Sequence, residues 1–136
     1  EPDPDGRIIR DKGEFNRVHS VAVPSTNQKS FVSRIHLQFT PNEEAKAHWN
    51  NEVDDLELWV NPPDGWVVNS KKTTAPNPKS AISQETREIE FELKSRENPD
   101  GKSVIIPTYA LYYVCEDVNG ACLYRRQDIP IKLDFK

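Results

Sequence analysis

The chemistry this chain can offer centres on "YYVCEDVNGACLYRR", residues 112 to 126, which holds Cys115 and Cys122, the only two cysteines in 136 residues. Six residues lie between them, Asn119-Gly120 included. Two thiols this close can form a permanent cross-link or a working dithiol, because thiolate attack on a disulfide sulfur passes electrons between proteins through a mixed disulfide. As a staple the pair is poorly placed, since closing an eight-residue ring contributes about 2.5 kcal/mol on the chain-entropy view. A pair near a hairpin tip is, by contrast, within reach of another protein. Glu116 and Asp117 beside Cys115 disfavour its thiolate, whereas Arg125 and Arg126 after Cys122 favour that one, so charge singles out Cys122 as the attacking sulfur. A permanent disulfide in a secreted domain stays open as the other reading.

Register tests the pair further. "TYALYYVC" alternates Tyr109, Leu111, Tyr113 and Cys115 against Ala110, Tyr112 and Val114, and Asn119-Gly120 is a turn signal leading back into "ACLYRR". A two-residue Asn-Gly turn pairs Val118 with Ala121 and Asp117 with Cys122, which leaves Cys115 two positions out of line. A bonded pair therefore requires a wider or bulged loop, because the two Cβ atoms must come within about 4.5 Å.

Other residues offer less. The three histidines, His19, His36 and His48, lie in three different segments, and no CxxC or HxxxH block supports a zinc site built from them and the cysteines. No nucleophile-elbow, phosphate-loop, dinucleotide or zincin motif occurs. Asn50, Asn51, Glu52, Asp54 and Asp55 form an oxygen-rich cluster, but it lacks the alternating spacing and central glycine of a calcium loop and reads as solvated. Trp49, Trp59 and Trp66 read as sheet-packing residues, with a carbohydrate- or protein-binding platform as the weaker use. The net charge of -4, with no basic stripe, argues against nucleic acid, and no apolar run suits a membrane span. No cofactor motif is present.

The elements that must position the cysteines read as strands. "FVSRIHLQF" puts Phe31, Ser33, Ile35, Leu37 and Phe39 on one face, and "REIEFELK" puts Ile89, Phe91 and Leu93 opposite Glu88, Glu90, Glu92 and Lys94. Ile129, Ile131, Leu133 and Phe135 repeat the pattern, with Pro130 acceptable at a strand start or edge. Shorter strands are expected at 18–23, 56–60, 65–69, 103–106, 109–115 and 121–125, punctuated by Pro62-Pro63-Asp64-Gly65, Asn77-Pro78 and Pro99-Asp100-Gly101. A helical turn is expected after Thr40 as cap and Pro41, ending at Asn50-Asn51, and "KKTTAPNPKS" reads as a long loop. These features predict an all-β, immunoglobulin-like antiparallel β-sandwich over residues 15–136, preceded by an acidic, proline-punctuated tail or linker at 1–14.

"LYYVCEDVNGACLYRRQDIPIKL" resembles the cysteine hairpin in the amino-terminal domain of the membrane thiol:disulfide interchange reductase, the DsbD family: a tyrosine-bearing strand, a cysteine, a short acidic loop, a second cysteine with an aromatic close behind, then a proline-plus-aliphatic strand. "PPDGWVVNS" is similar to that family's proline, acidic, glycine, aromatic segment, and related domains occur attached to thioredoxin-like and NHL-repeat proteins. The resemblance implies a periplasmic or otherwise extracytoplasmic setting and a catalytic pair, Cys115 and Cys122, exchanging electrons with a thioredoxin-like partner. Six residues between the cysteines is one more than that hairpin has, and "AHWNNEVDDLELWV" has no counterpart there. The alternative is a non-catalytic accessory or interaction domain of a larger protein that keeps a structural hairpin disulfide.

Overall fold

The computed structural model describes residues 1–24, 31–117 and 120–136. Among these residues, twelve strands follow one another: β1 (Asn16–Pro24), β2 (Val32–Pro41), β3 (His48–Asn50), β4 (Leu56–Val60), β5 (Trp66–Val68), β6 (Lys72–Ala75), β7 (Ile82–Ser83), β8 (Arg87–Ser95), β9 (Ser103–Ile106), β10 (Thr108–Cys115), β11 (Cys122–Asp128) and β12 (Ile131–Asp134). One sheet runs β1-β2-β8-β5. In the other, β10 pairs with β11 along one side, and with β4 and β3 end to end along its other side, while β6 flanks β4 and β7 flanks β3. All these pairings are antiparallel, and β12 with β9 makes a small third sheet. The orders β1-β2-β8-β5 and β4-β10-β11 match the ABED and CFG sheets of an immunoglobulin domain, so the all-β, immunoglobulin-like sandwich expected from the sequence is the observed fold.

Alternation explains the layers. Ile35, Leu37 and Phe39 of β2 face Ala110, Tyr112 and Val114 of β10 across the core, joined by Ile89, Phe91 and Leu93 of β8, Leu56, Leu58 and Val60 of β4, and Ile131 and Leu133 of β12. Each large aliphatic or aromatic side chain so buried contributes about 1.5–3 kcal/mol. Trp49 is 1% exposed, meets the Tyr112 ring edge-on at 5.8 Å, and donates its indole N–H to the Glu85 carbonyl at 2.8 Å.

Two local expectations are corrected. The helical turn is a short 3-10 helix, Glu43–Ala45, capped by Asn42 rather than Thr40, because Thr40 and Pro41 remain in β2, where they pair with Arg17 and Asn16. The chain then enters β3 where the turn was expected to continue. Within "KKTTAPNPKS", Lys72–Ala75 form β6, since Thr73 and Ala75 pair with Leu58 and Leu56 at the sheet edge. Composition marked that stretch as a loop; an edge strand needs only one partner and one buried face.

The opening residues, read as a tail or linker, contact the sandwich closely. Asp11 is 2% exposed; its Oδ1 accepts from the N–H groups of Gly13, Glu14 and Phe15 at 2.8 to 3.2 Å, and its Oδ2 accepts from the Asn16 N–H at 3.0 Å and from the Tyr112 hydroxyl. The Arg126 N–H donates to the Ile9 carbonyl and the Asp11 N–H to the Arg126 carbonyl, a parallel bridge on the outer edge of β11.

Candidate functional site

Cys115 and Cys122 are bonded and stand directly opposite each other in the β10–β11 register. The wider loop is what allows it. The Glu116 N–H donates to the Ala121 carbonyl and the Gly120 N–H to the Asp117 carbonyl, so pairing persists one residue beyond the cysteines. That makes 116/121 a hydrogen-bonded pair and 115/122 the adjacent non-hydrogen-bonded pair, where side chains approach most closely, with a Cα–Cα separation of 3.9 Å. The two-residue turn through Asn119 involves a residue outside those described, but the 115/122 register already replaces the pairing of Asp117 with Cys122 that such a turn dictates. Gly120 is required by close approach: a Cβ there would lie 2.8 Å from the Asp117 nitrogen.

The same alternation that buries Ala110, Tyr112 and Val114 puts Tyr109, Leu111, Tyr113 and Cys115 on the outer face of the sheet. Their partners on that face are Trp59 and Glu57 of β4, His48 of β3, and Asp128, Arg126, Tyr124 and Cys122 of β11. The disulfide therefore ends an aromatic row, with Tyr113 and Tyr124 beside it at 4.4 Å between ring centroids. The two sulfur-bearing residues differ in environment: Cys115 is 2% exposed, flanked by His48 in register on β3, whereas Cys122 is exposed on the outermost strand.

Charge does not make the distinction that the sequence suggested. Arg125 lies on the opposite side of β11 from Cys122, with Leu123 and Gln127, and its guanidinium donates to the Tyr124 carbonyl at 3.0 Å. Arg126 shares the face of Cys122 but is spoken for: its guanidinium bonds Asp3 at 2.9 Å and Asp128 at 2.8 Å and stacks 3.8 Å over the Tyr109 ring. Burial works against ionisation in this group, yet the hydrogen bonds and opposite charges win, holding Arg126 further up and Asp3 and Asp128 below the usual carboxylate range. Period-two geometry and competition from Asp3, far away in sequence, are invisible to a count of charges within four positions. What separates the cysteines is exposure.

Burial pushes the Tyr124 phenol up to about 12, with Tyr113 and Glu57 acting in the same direction, and burial plus a 2.9 Å hydrogen bond to Glu1 puts Tyr109 at about 12 as well. Trp59 is half-buried on the outer face and held by Glu57 at 3.0 Å and the Lys72 ammonium 5.8 Å over its ring. Trp49 is in the core and Trp66 stacks on Phe135 at 6.0 Å, so the three tryptophans do not converge on one platform. His19 and His36 lie on the far sheet, two layers from the disulfide. Among the described residues no group of three or more His, Cys, Asp or Glu side chains could hold a metal ion. Among the described residues, no helix is long and apolar enough to cross a membrane.

Sequence reasoning passed over the residues that anchor this architecture. Besides Asp11, the Tyr112 hydroxyl lies 2.9 Å from Gln127 Oε1, which also accepts from the Asn16 amide at 2.8 Å. Arg87, 6% exposed, stacks 4.7 Å over Trp49 and donates to Asn51, Asn77 and Glu85 at 2.6 to 2.9 Å. An arginine opening an otherwise apolar inward face, in "REIEFELK", was the available signal.

No family model and no curated protein matches the chain. Solved structures similar to it include the GAE domain of yeast GGA1, "GGA1_GAE domain-P21", at 10% identity over 89% of this chain and 96% of that one with a TM-score of 0.47, and BslA, a bacterial hydrophobin, at 14% identity over 86% and 93% with a TM-score of 0.35. At such identities neither likeness bears on function.

Proposed function

We propose that this domain exchanges disulfides with a thioredoxin-like partner through Cys115 and Cys122, in a periplasmic or otherwise extracytoplasmic setting and without a cofactor. The observation that carries this reading is the unequal exposure of the bonded pair, buried at Cys115 and open at Cys122, on the face of β10 opposite the Ala110, Tyr112 and Val114 cluster. A partner thiolate attacks the Cys122 sulfur. The new partner–Cys122 bond forms as the Cys115–Cys122 bond breaks, and Cys115 leaves as the thiolate; a second partner thiol then releases Cys122. In the opposite direction Cys122 as thiolate attacks a partner disulfide and Cys115 resolves the mixed disulfide. The likeness of the hairpin to that of the DsbD-family amino-terminal domain supports the same assignment.

The competing reading, an accessory domain with a structural bond, draws on the burial of Cys115. Equilibration with glutathione or thioredoxin, followed by mass, separates the two: exchange requires a potential above about -300 mV, and a lower one marks a structural disulfide. The variant Cys115→Ala should accumulate a mixed disulfide through Cys122 with thioredoxin, and absence of that adduct removes the exchange role.

A further inference from the structure

The β10–β11 ladder has a phase that bears on how a partner reaches Cys122. Because 116/121 is a hydrogen-bonded pair, so are 114/123, 112/125 and 110/127, and the backbone groups of Cys122, Tyr124, Arg126 and Asp128 point away from β10. Arg126 confirms the phase: its N–H and C=O are the ones that bond Ile9 and Asp11 on the outer edge. The opening segment stops there. The N–H groups of Arg7 and Ile8 go to the Asp3 carboxylate at 2.7 and 3.4 Å, so the chain folds back instead of continuing past Tyr124. Among the described residues, the outward N–H groups of Tyr124 and Cys122 have no backbone partner and the outward Tyr124 carbonyl is covered only by the Arg125 side chain, on an edge that already accepts an added extended segment two residues further on.

The geometry points to this open edge as the dock for an extended, cysteine-bearing segment of the reduced partner, which adds to β11 as a strand. This assignment rests on the exchange reading. Displacement at sulfur is in line, so the attacking thiolate must approach opposite the leaving sulfur. The Cys115–Cys122 bond runs across the strands, with the leaving Cys115 on β10 and the open edge on the far side of Cys122. A residue paired opposite Cys122 on a new edge strand lies about 5.5 Å away between Cα atoms, projects to the same face, and falls within the separation a disulfide spans. Attack forms the segment–Cys122 bond, breaks Cys115–Cys122, and leaves the electron pair on Cys115.

The test uses a short Thr/Val peptide with one central cysteine, and the same peptide N-methylated beside that cysteine so that it cannot pair as a strand. The unmodified peptide should reduce the disulfide roughly three- to tenfold faster, the effect of one backbone hydrogen bond. On the protein side, Tyr124→Pro removes an outward N–H without touching the bonds to β10, and Tyr124→Ala controls for the lost ring. The proline variant should react more slowly than the alanine variant with the peptide by a similar factor, and equally with dithiothreitol. Equal peptide rates for both variants, or for both peptides, overturn the edge assignment. So does an edge-to-edge dimer in sedimentation that Tyr124→Pro dissolves while peptide rates stay equal. A potential below about -300 mV instead defeats the exchange reading and is measured independently of these rate ratios.

Discussion

If the hairpin disulfide works by exchange, the domain must remain folded when it is reduced, and the structure says how much stability the bond supplies. Reduction keeps both sulfurs in place and removes only the cross-link. The closed ring spans the eight residues 115 to 122, so the unfolded chain regains about 2.5 kcal/mol of loop freedom. The native state loses little. The β10–β11 pairing extends over seven residue pairs, and the core side of β10 is supplied by Ala110, Tyr112 and Val114, not by Cys115. For a chain of 136 residues, unfolding entropy of about 2.1 cal/mol/K per residue turns 2.5 kcal/mol into a fall in Tm of about 9 °C. Urea unfolding of the oxidised protein and of the same protein in dithiothreitol, followed by tryptophan fluorescence, should give a difference of about 2.5 kcal/mol with a single cooperative transition in each. A reduced form that is unfolded in buffer, or a loss beyond about 5 kcal/mol, would refute the reasoning, because the bond would then be holding the fold together.

Other outcomes follow from the same contacts. In the reduced protein, alkylation by iodoacetamide should label Cys122 before Cys115, read by peptide mass, since only Cys122 is exposed. Tyr112→Phe removes the hydroxyl donated to the Asp11 carboxylate and should cost about 2 kcal/mol in urea unfolding; a change under about 0.5 kcal/mol means the bond adds nothing. Arg87→Met leaves Asn51, Asn77 and the Glu85 carboxylate without their buried partner and should cost about 2–4 kcal/mol by the same measurement. Asp3 and Asp128 have folded pKa values below their ordinary 3.8, so their contribution is complete above that value and is lost as pH falls through the folded values. Thermal melts of wild type should therefore lose Tm below about pH 4 more steeply than melts of Asp128→Asn, and parallel curves would show that the Arg126 cluster does not couple to folding.

Much of the fold was legible because a half-buried strand writes its burial into every second residue. "RIHLQF" and "REIEFELK" announce both strand and inward face, and Asn119-Gly120 with flanking tyrosines announces a hairpin. The loop width could be reasoned from the cysteines alone, since only a loop longer than two residues sets them opposite each other. Short strands were less visible: β3 and β7 span three and two residues, too few for a period, and exist because neighbouring strands offer them partners.

Residue types and spacing, then, determined the longer strands of the two sheets and the hairpin that carries Cys115 and Cys122, all of which depend on neighbours close along the chain. The tertiary structure decided which face of β10 joins the main core cluster, hence that the disulfide lies outside it; it also placed His48 beside Cys115 and engaged Arg126 with Asp3. Those outcomes depend on which strands and which opening residues cover each face. That choice is made by packing between segments far apart along the chain, as with Asp11 and Tyr112, and local pattern carries no record of it.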